Sequence, residues 1–292
     1  MKRILITGKN SYIGRSVKGW LLKNEQHHIV DEMCVKGNDW QSADFSVYDV
    51  VFHVAGIAHS DTGSANDETK ALYYNVNSSL PVAVAKKAKA AGVTQFIFMS
   101  SMIVFGDSAP LGIRKRITKE TRLAPANFYG DSKWQAELEL TKLRNSHFKL
   151  AIIRPPMVYG KGSKGNYPRL AKMARKLPLF PALPNERSMI HIDNLCEFIR
   201  LIIENVEDDV FHPQNNGYVN TSELVRQIAE VYGKKLRLVK IFNPLLQFLA
   251  GRMSLVDKVF GNLSYEISLS EYKHDYRVRG FTESIRLTED PE

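Results

Sequence analysis

The first 155 residues alternate short, nearly continuous apolar runs with longer segments whose apolar residues recur at helical spacing. The apolar runs predict five strands, at Arg3–Thr7, His27–Val35, Tyr48–Gly56, Thr94–Ser101 and Phe148–Pro155. The segments between them predict helices at Ser11–Asn24, at Asn66–Ala91 with Gly92 as the cap, and around Tyr129. This alternation predicts an α/β fold, a parallel sheet with helices on both faces.

The pattern changes after Pro155, where Pro, Gly and basic residues become frequent and short strands mix with short helices. We expect one domain at 1–160 together with about 187–222, and a smaller C-terminal lobe at 161–186 and 223–292. The segment Ser188–Glu204 is predicted to be a strand–helix unit that returns to the central sheet.

Composition bounds the class of protein. The chain has 292 residues, 44% hydrophobic and 24% charged, which is ordinary for a globular protein. Its two cysteines, Cys34 and Cys196, belong to no CxxC or metal-type cluster, so we expect no metal and a reducing cytoplasm. The N-terminal apolar run is too short for a signal peptide, and no apolar stretch is long enough to span a membrane.

The chain is basic, with a formal net charge of +9 and a pI near 9.4. Nucleic acid is one partner that such a charge can indicate. The Lys and Arg residues are scattered, however, apart from Arg114–Arg116 and a few pairs, and no aromatic residues are interleaved with them. We therefore predict a small anionic substrate rather than a nucleic acid.

A glycine turn follows the first predicted strand. Gly8, Ser11 and Gly14 are spaced as in a dinucleotide-binding turn, in which glycine lets the backbone approach a pyrophosphate at a helix N-terminus. Serine occupies the middle position, where glycine is usual, so the pattern alone is weak evidence.

A tyrosine and a lysine lie one helical turn apart, at Tyr129 and Lys133, and two serines, Ser100 and Ser101, end the fourth predicted strand. A free phenol has a pKa of about 10, too high for a base at neutral pH. A neighbouring ammonium and an oxidised nicotinamide would both lower that pKa. The pair is also compatible with an ordinary solvated helix face, so its surroundings decide between the two interpretations.

Six stretches in this order resemble the extended short-chain dehydrogenase/reductase superfamily, in its NAD-dependent epimerase/dehydratase group: "ILITGKNSYIG", "DVVFHVAG", "FIFMSSMIVFG", "YGDSK", "IIRPPMVYG" and "RSMIHIDNL". The resemblance implies a Rossmann-type doubly wound sheet that binds NAD or NADP, with a substrate lobe. It is nearest to the capsular-polysaccharide enzymes that epimerise or reduce C4 of UDP-linked sugars, which commonly form homodimers.

The resemblance also implies roles for residues. Tyr129 would be the catalytic acid/base, Lys133 its pKa-lowering and ribose-binding partner, and Ser101 the hydroxyl that orients the C4 oxygen. The implied cofactor-binding residues are Gly8, Asn10, Ser11, Tyr12, Ile13, Gly14, Lys36, Asp44, Phe45, Ala55, Gly56, Asn77, Tyr129, Lys133 and Pro155. The implied substrate-binding residues are Ser101, Met102, Met157, Asn166 and Arg187, the last of them on the diphosphate.

The cofactor remains open at this stage. Only twelve residues separate Lys36 from Asp49, so the usual crossover helix is short or missing. Asp31, Glu32 and Lys36 then compete for the adenosine ribose, and an acid there favours NAD whereas a cation favours NADP. The sequence likewise leaves an epimerase and a one-way 4-ketoreductase open.

Other interpretations weigh less. A non-catalytic nucleotide- or RNA-binding protein is disfavoured by the intact Ser, Tyr and Lys set, and a 4,6-dehydratase by the absence of an acidic pair beside Ser101. His53, His59 and His191 are expected to be packed histidines rather than bases or metal ligands. Asn243–Phe260 is apolar and partly basic. We expect it to pack in the second lobe or an interface rather than to lie on a membrane surface.

Overall fold

The computed structural model describes residues 1–23, 28–58 and 66–290. Within these residues the strands are β1 (Arg3–Thr7), β2 (Ile29–Met33), β3 (Val50–His53), β4 (Gln95–Met99), β5 (Arg116–Ile117), β6 (Lys149–Ile153), β7 (Met157–Tyr159), β8 (Leu179–Pro181), β9 (Met189–His191), β10 (Val210–Phe211), β11 (Arg237–Val239) and β12 (Ser264–Tyr265).

The α-helices in the same part of the chain are α1 (Tyr12–Lys23), α2 (Asp67–Tyr74), α3 (Leu80–Ala90), α4 (Phe128–Thr141), α5 (Asn166–Lys176), α6 (Ile192–Glu204), α7 (Thr221–Val231), α8 (Asn243–Leu249), α9 (Ser254–Phe260) and α10 (Phe281–Glu289). None of these helices is both long enough and apolar enough to cross a membrane.

The chain divides into two compact units. The first comprises Met1–Gly106, Arg122–Pro155 and Leu195–Pro213, and the second comprises Asp107–Thr121, Pro156–Asn194 and Gln214–Glu292. These boundaries differ from the predicted ones chiefly at 107–121, which the sequence places in the first domain. This segment joins the second unit because Ala109 exchanges backbone hydrogen bonds with Asn262 and because β5 pairs with β12.

The first unit contains a six-stranded parallel sheet in the order β10-β6-β4-β3-β1-β2. Its middle strands are apolar throughout because both faces are covered, and every residue of β3 and β4 is buried. The α/β fold and the five predicted strands are confirmed, although His27, the first residue of the predicted second strand, lies outside the described residues.

One prediction about this sheet is only half right. The segment from Ser188 to Glu204 does form a strand and a helix, and from Leu195 onward the helix belongs to the first unit as predicted. The strand does not return to the central sheet, because β9 pairs with β7 in the second unit. The sixth strand of the central sheet is β10, which pairs with β6. With only two residues, β10 has too little pattern to be recognised in the sequence.

The long helix predicted over Asn66–Ala91 is one helical segment with a change of winding at its middle. Asn66 caps α2 by accepting a hydrogen bond from the Thr69 amide, and Gly92 follows α3 with a φ of 84°. Between α2 and α3, Asn75–Ser79 form a π-helical turn. Such turns are common at functional sites.

The second unit is built mainly of helices around its own apolar core. Helices α5, α7 and α10 contribute Leu170, Val225, Ile228 and Ile285, all buried. The short sheets β11-β8, β7-β9 and β12-β5 are each two-stranded.

Candidate active site

A cavity of about 870 Å³ opens at the carboxyl ends of β1, β2 and β3. The register places Thr7, Met33 and His53 side by side at the ends of these strands, so the segments that follow converge at one edge of the sheet. The walls come from the glycine turn, from residues 34–41, from residues 54–57 and from the α2–α3 junction. This is where open parallel sheets bind ligands, and the volume is that of a cofactor site.

The glycine turn forms the beginning of one wall, and its glycines are required by close packing. Gly8 has a φ of +115°, and a Cβ there would lie 2.7 Å from the Ala55 amide nitrogen. A Cβ at Gly14 would lie 2.5 Å from Ser11 Oγ. Ser11, which departs from the usual glycine, accepts a hydrogen bond from the Gly14 amide at 3.0 Å.

The N-terminus of α1 begins directly after this turn, at Tyr12, and Ile13 lies in its first turn. Unpaired amides at a helix N-terminus attract phosphate oxygens, and the glycines allow a close approach of the backbone. The turn therefore fits the pyrophosphate of a dinucleotide. Asn10, with a φ of 68°, lines the cavity within the same turn.

The segment after β2 forms the opposite wall. Lys36 is exposed and lines the cavity. Cys34, Trp40 and Gln41 also line it, and Trp40 is buried. The only regular element between β2 and β3 is a 3₁₀ turn at Asp39–Gln41, which confirms the short crossover.

Asp44 and Phe45, the predicted adenine contacts, are not among the residues that line this cavity, and their role stays a prediction. Phe45 is 1% exposed and packs in the core, with the Lys87 ammonium 5.1 Å from its ring centroid. Asp44 accepts hydrogen bonds from the Ser46 amide and hydroxyl. Trp40 and Gln41, from the 3₁₀ turn, line the cavity instead.

The two acids that compete with Lys36 for the adenosine ribose each form an ion pair with a basic side chain. Asp31 pairs with Arg3 at 3.4 Å, and Glu32 pairs with Lys18 at 2.9 Å. Neither acid lies in the cavity wall, whereas Lys9 and Lys36 do. Within the described residues, the charged groups of this wall are therefore cations.

Ala55 and Gly56 form the floor of the cavity, and a buried asparagine fixes the backbone beside them. Asn77, in the π-helical turn, accepts a hydrogen bond from the Ile57 amide at 2.9 Å and donates to the Ile57 carbonyl at 3.0 Å. A Cβ at Gly56 would lie 3.1 Å from Asn77 Oδ1 and 3.2 Å from Lys133 Nζ. Gly56 thus joins the cavity to the region of Lys133.

Helix α4 places Tyr129 beside Ser101. Asn127 caps the helix by accepting from the Gly130 amide, and a Cβ at Gly130 would lie 2.8 Å from the Ile103 carbonyl oxygen. This close packing brings the first turn of α4 against the 3₁₀ helix that Ser101 begins. The Ser101 hydroxyl lies close enough to the Tyr129 phenol for hydrogen bonding between them to favour the phenolate, which acts to lower the Tyr129 pKa.

The electrostatics of Tyr129 differ from the sequence-based prediction. Burial raises the pKa of Tyr129 to about 12, and the hydrogen bond with Ser101 offsets only part of that rise. The predicted lowering by Lys133 is not observed. The Lys133 ammonium instead donates to the Met99 carbonyl at 2.9 Å and lies 4.9 Å from the Phe98 ring centroid.

Lys133 is itself buried, with 5% of its surface exposed. Burial lowers its pKa to about 8, and the nearby carboxylate of Glu137 acts in the opposite direction. One turn of α4 thus presents a protonated phenol, and the next turn presents an amine that titrates close to neutral pH.

A buried ion pair supports this face of α4, and the sequence analysis missed it. Glu137, 3% exposed, accepts from Arg154 at 2.5 Å and 3.1 Å and also from the Ser100 hydroxyl. Glu137 lies four residues after Lys133, so the helical spacing was a usable signal. The partner Arg154, at the end of β6, had no such signal.

The remaining predicted site residues do not line the cavity described above. The Pro155 carbonyl accepts from the amide of Met102, whose side chain is buried. In the second unit, Met157 lies in β7, and Asn166 is the exposed first residue of α5. The Arg187 guanidinium donates to the Lys258 carbonyl at 2.6 Å, and burial lowers its pKa to about 10.

The histidines behave as packed residues. His53 is fully buried, shares a hydrogen bond with the Thr7 hydroxyl at 2.8 Å, and has its pKa lowered to about 3 by burial. His191 accepts from the Asp193 amide, and burial lowers its pKa as well. His59 lies outside the described residues.

Comparison with known proteins identifies the family of this site. The model of the family described as "NAD dependent epimerase/dehydratase family" matches residues 4–215. The chain belongs to that family. It is an NAD(P)-dependent enzyme, and the glycine turn, the helix N-terminus and the cavity described above fit the cofactor.

Two curated relatives match across most of the chain. A UDP-glucose 4-epimerase of Vibrio cholerae is 31% identical over 296 residues, covering 91% of this chain and 88% of the relative. An N-acetyl-alpha-D-glucosaminyl-diphospho-ditrans,octacis-undecaprenol 4-epimerase of Escherichia coli O157:H7 is 27% identical over 285 residues, covering 91% and 82%.

Solved structures share the fold. A UDP-glucuronic acid 4-epimerase from Bacillus cereus in complex with NAD has a TM-score of 0.73 at 17% identity, covering 99% of this chain and 97% of that one. A dTDP-4-dehydrorhamnose reductase from Clostridium acetobutylicum has a TM-score of 0.72 at 18% identity, covering 99% and 98%.

Proposed function

We propose that the protein is an NAD(P)-dependent 4-epimerase of a UDP-hexose, acting in surface polysaccharide synthesis. The observation that carries this proposal is the Tyr129–Ser101 hydrogen bond, with Lys133 one turn along α4 and beside Gly56 of the cavity floor. The epimerase names of both curated relatives support the same assignment.

The dinucleotide would be held by the residues of the cavity and its margins. The turn from Gly8 to Gly14 and the first amides of α1, at Tyr12 and Ile13, would bind the pyrophosphate. Ala55 and Gly56 would lie beneath the adenosine half, and Asn77 would fix that floor by its two bonds to Ile57. Lys133 would bind the nicotinamide ribose through its ammonium donors.

The residues of this chain would move the proton at C4. As the phenolate, Tyr129 would accept the proton of the C4 hydroxyl while Ser101 orients that oxygen. As the phenol, it would then return this proton to the C4 oxygen when C4 is reduced on its other face. When bound, the cofactor supplies a hydride acceptor and donor at C4. Because burial raises the Tyr129 pKa to about 12, the phenol is protonated at neutral pH, which suits its role as the acid. Its role as the base requires that the phenol first lose this proton.

Lys133 would assist as a charge rather than as a base. An ammonium near a phenol stabilises the phenolate that proton abstraction creates. Glu137 favours the charged form of Lys133, and the Met99 carbonyl fixes its position. Glu137 would thereby act on Lys133 through its charge, and Arg154 would hold the Glu137 carboxylate in place.

A second candidate is a one-way 4-ketoreductase of a UDP-4-keto-6-deoxy sugar that uses NADPH. The observation that favours it is the cationic cavity wall, with Lys9 and Lys36 in it and Asp31 and Glu32 bound elsewhere. A cation at this place suits the 2′-phosphate of NADPH, whereas an acid suits the 2′-hydroxyl of NAD. A reductase oxidises one reduced dinucleotide in each turnover, whereas an epimerase regenerates its own.

The substrate would be a sugar carried on a diphosphate, the group that the names of the two relatives share. Arg187 would contact that diphosphate, since its guanidinium is bound by carbonyls and, within the described residues, forms no ion pair. Met102, Met157 and Asn166 would face the sugar. Assembly as a homodimer remains a prediction.

The experiment is a turnover assay of the purified protein with UDP-glucose, UDP-GlcNAc and a UDP-4-keto-6-deoxy sugar, with mass spectrometry of products and of any nucleotide that co-purifies. Interconversion of C4 epimers with retained NAD supports the epimerase. Reduction of only the keto sugar with NADPH supports the reductase. Turnover of none of the three, with no dinucleotide bound, would refute both.

A further inference from the structure

The region around α8 presents an apolar face to the outside of the second unit. Leu246 and Leu249 of this helix pack on the core of that unit. The other face of α8 and the preceding Ile241 are largely exposed, with Ile241 78%, Leu245 60% and Phe248 63% exposed. The Arg252 guanidinium lies 4.6 Å from the Phe248 ring centroid. Large apolar side chains exposed together in this way mark an interaction surface.

The same segment is strongly basic. From 231 to 256 the sequence contains five Lys or Arg residues and no Asp or Glu. Lys235, Arg237, Lys240 and Arg252 are all exposed. The next acid along the chain, Asp257, accepts hydrogen bonds from the Gly251 amide, so its carboxylate is turned to the backbone.

We propose that this face, formed by Ile241, Phe242, Leu245, Phe248 and the flanking cations, docks the protein onto an anionic lipid surface. This proposal departs from the sequence-based expectation for Asn243–Phe260, because only one side of α8 packs in the second unit. Exposed Leu and Phe side chains insert at the level of the lipid headgroups, and Lys and Arg beside them bind the anionic headgroups. The protein would lie on the surface through this face.

The positive charge of this face favours an anionic lipid surface over a second copy of the chain as its partner. A twofold contact through this face would bring the cations of one copy against those of the other, which is unfavourable. Gly251, with a φ of +72°, ends the apolar run and separates α8 from α9, so the exposed face is short. A short apolar face beside several cations suits shallow insertion better than a protein groove.

The test is co-sedimentation of the full chain with vesicles of phosphatidylethanolamine and phosphatidylglycerol, compared with vesicles of phosphatidylcholine alone. The wild type should bind the anionic vesicles at about 50 mM salt and lose most of that binding at about 500 mM, since salt screens the cations. It should bind the neutral vesicles at least ~10-fold less well.

Two double variants separate the apolar and basic contributions. Leu245→Glu with Phe248→Glu should weaken binding to anionic vesicles by about 30-fold or more. Lys235→Glu with Lys240→Glu should weaken it by at least about 10-fold. The matched controls are Leu22→Glu with Leu138→Glu, exposed by 56% and 44%, and Lys86→Glu with Lys172→Glu, which should bind as the wild type does.

Each outcome decides the proposal. Loss of binding in both test variants, with unchanged melting temperatures and wild-type binding by the controls, supports it. Absence of wild-type binding at low salt, or equal binding by test and control variants, overturns it. Conversion of a dimer to a monomer by Leu245→Glu with Phe248→Glu, without any lipid binding by the wild type, would assign the face to a second copy instead.

Discussion

Two regions of the first unit differ in how their charges are held. Along the wall after β2, Lys36 is exposed and, within the described residues, it forms no ion pair. Along α4, by contrast, Tyr129, Lys133 and Glu137 are each bound to a neighbour, and Lys133 and Glu137 are buried. The first arrangement can be altered one residue at a time, whereas the second acts as a connected unit.

The difference has a physical basis. An exposed cation is solvated by water, so its replacement changes what the cavity binds and little else. A buried ion pair has lost its water, so removing one partner leaves an uncompensated charge. We therefore expect substitutions in the wall to change specificity, and substitutions on α4 to change activity and stability.

The largest effect is expected at Tyr129. Tyr129→Phe should lower kcat by about 10²–10⁴-fold because it removes the group that exchanges the proton. Steady-state kinetics on the substrate found by the turnover assay would measure it. Tyr232→Phe, which removes a phenol that donates to Glu289, is the matched control and should retain wild-type kcat. Similar rates for the two variants would contradict the assignment.

The next effect is expected at Glu137. Glu137→Ala should lower the free energy of unfolding by about 3–5 kcal/mol because it leaves Arg154 buried without its carboxylate. Denaturant titration would measure the loss. Glu139→Gln, at an exposed ion pair with Lys142 on the same helix, should cost at most about 1 kcal/mol. Equal losses would show that the two ion pairs do not differ as the structure implies.

A smaller and pH-dependent effect is expected at Lys133. Its pKa is about 8 in the folded chain against a usual value of 10.5, so between these values the unfolded chain binds the extra proton. The lysine therefore makes the free energy of unfolding rise as pH increases from about 8 to 10.5. Lys133→Met should lack this rise, which is at most about 3 kcal/mol. Parallel pH–stability curves for the two proteins would contradict the prediction.

The smallest effect is expected at Lys36, and it should appear in specificity rather than stability. Lys36→Glu should raise the Kd for NADP⁺ by about 10–100-fold and leave the Kd for NAD⁺ within roughly threefold, because the lost contact is to the 2′-phosphate. Isothermal titration calorimetry would measure both constants. Lys86→Glu is the control. Equal changes for both dinucleotides would remove the argument for NADPH and with it the support for the reductase.

The sequence predicted the elements with strong patterns and missed those set by distant partners. The apolar run Arg3–Thr7 is β1 without change, and Tyr129 and Lys133 do lie one turn apart on a helix. The Glu137–Arg154 pair joins α4 to the end of β6, and no local spacing identifies such a partner. The short crossover puts Trp40 and Gln41 at the cavity, and no pattern in the sequence indicates this. The adenine contacts of Asp44 and Phe45 stay a prediction.

The electrostatic prediction for Tyr129 failed for a related reason. The spacing of Tyr129 and Lys133 shows that they share a face of the helix, but it does not show where the Lys133 ammonium points. In the structure the ammonium donates to the Met99 carbonyl. Burial, which a sequence does not quantify, then dominates the phenol's pKa.

The central claim is that Tyr129 and Ser101 act on one proton through their shared hydrogen bond. A double-mutant cycle of Tyr129→Phe and Ser101→Ala, measured as kcat on the identified substrate, tests it most directly. We predict that the double variant is no slower than Tyr129→Phe alone, within about threefold, because residues that act as a unit are not additive. Losses that multiply, so that the double variant is slower by the product of the two single effects, would contradict the claim.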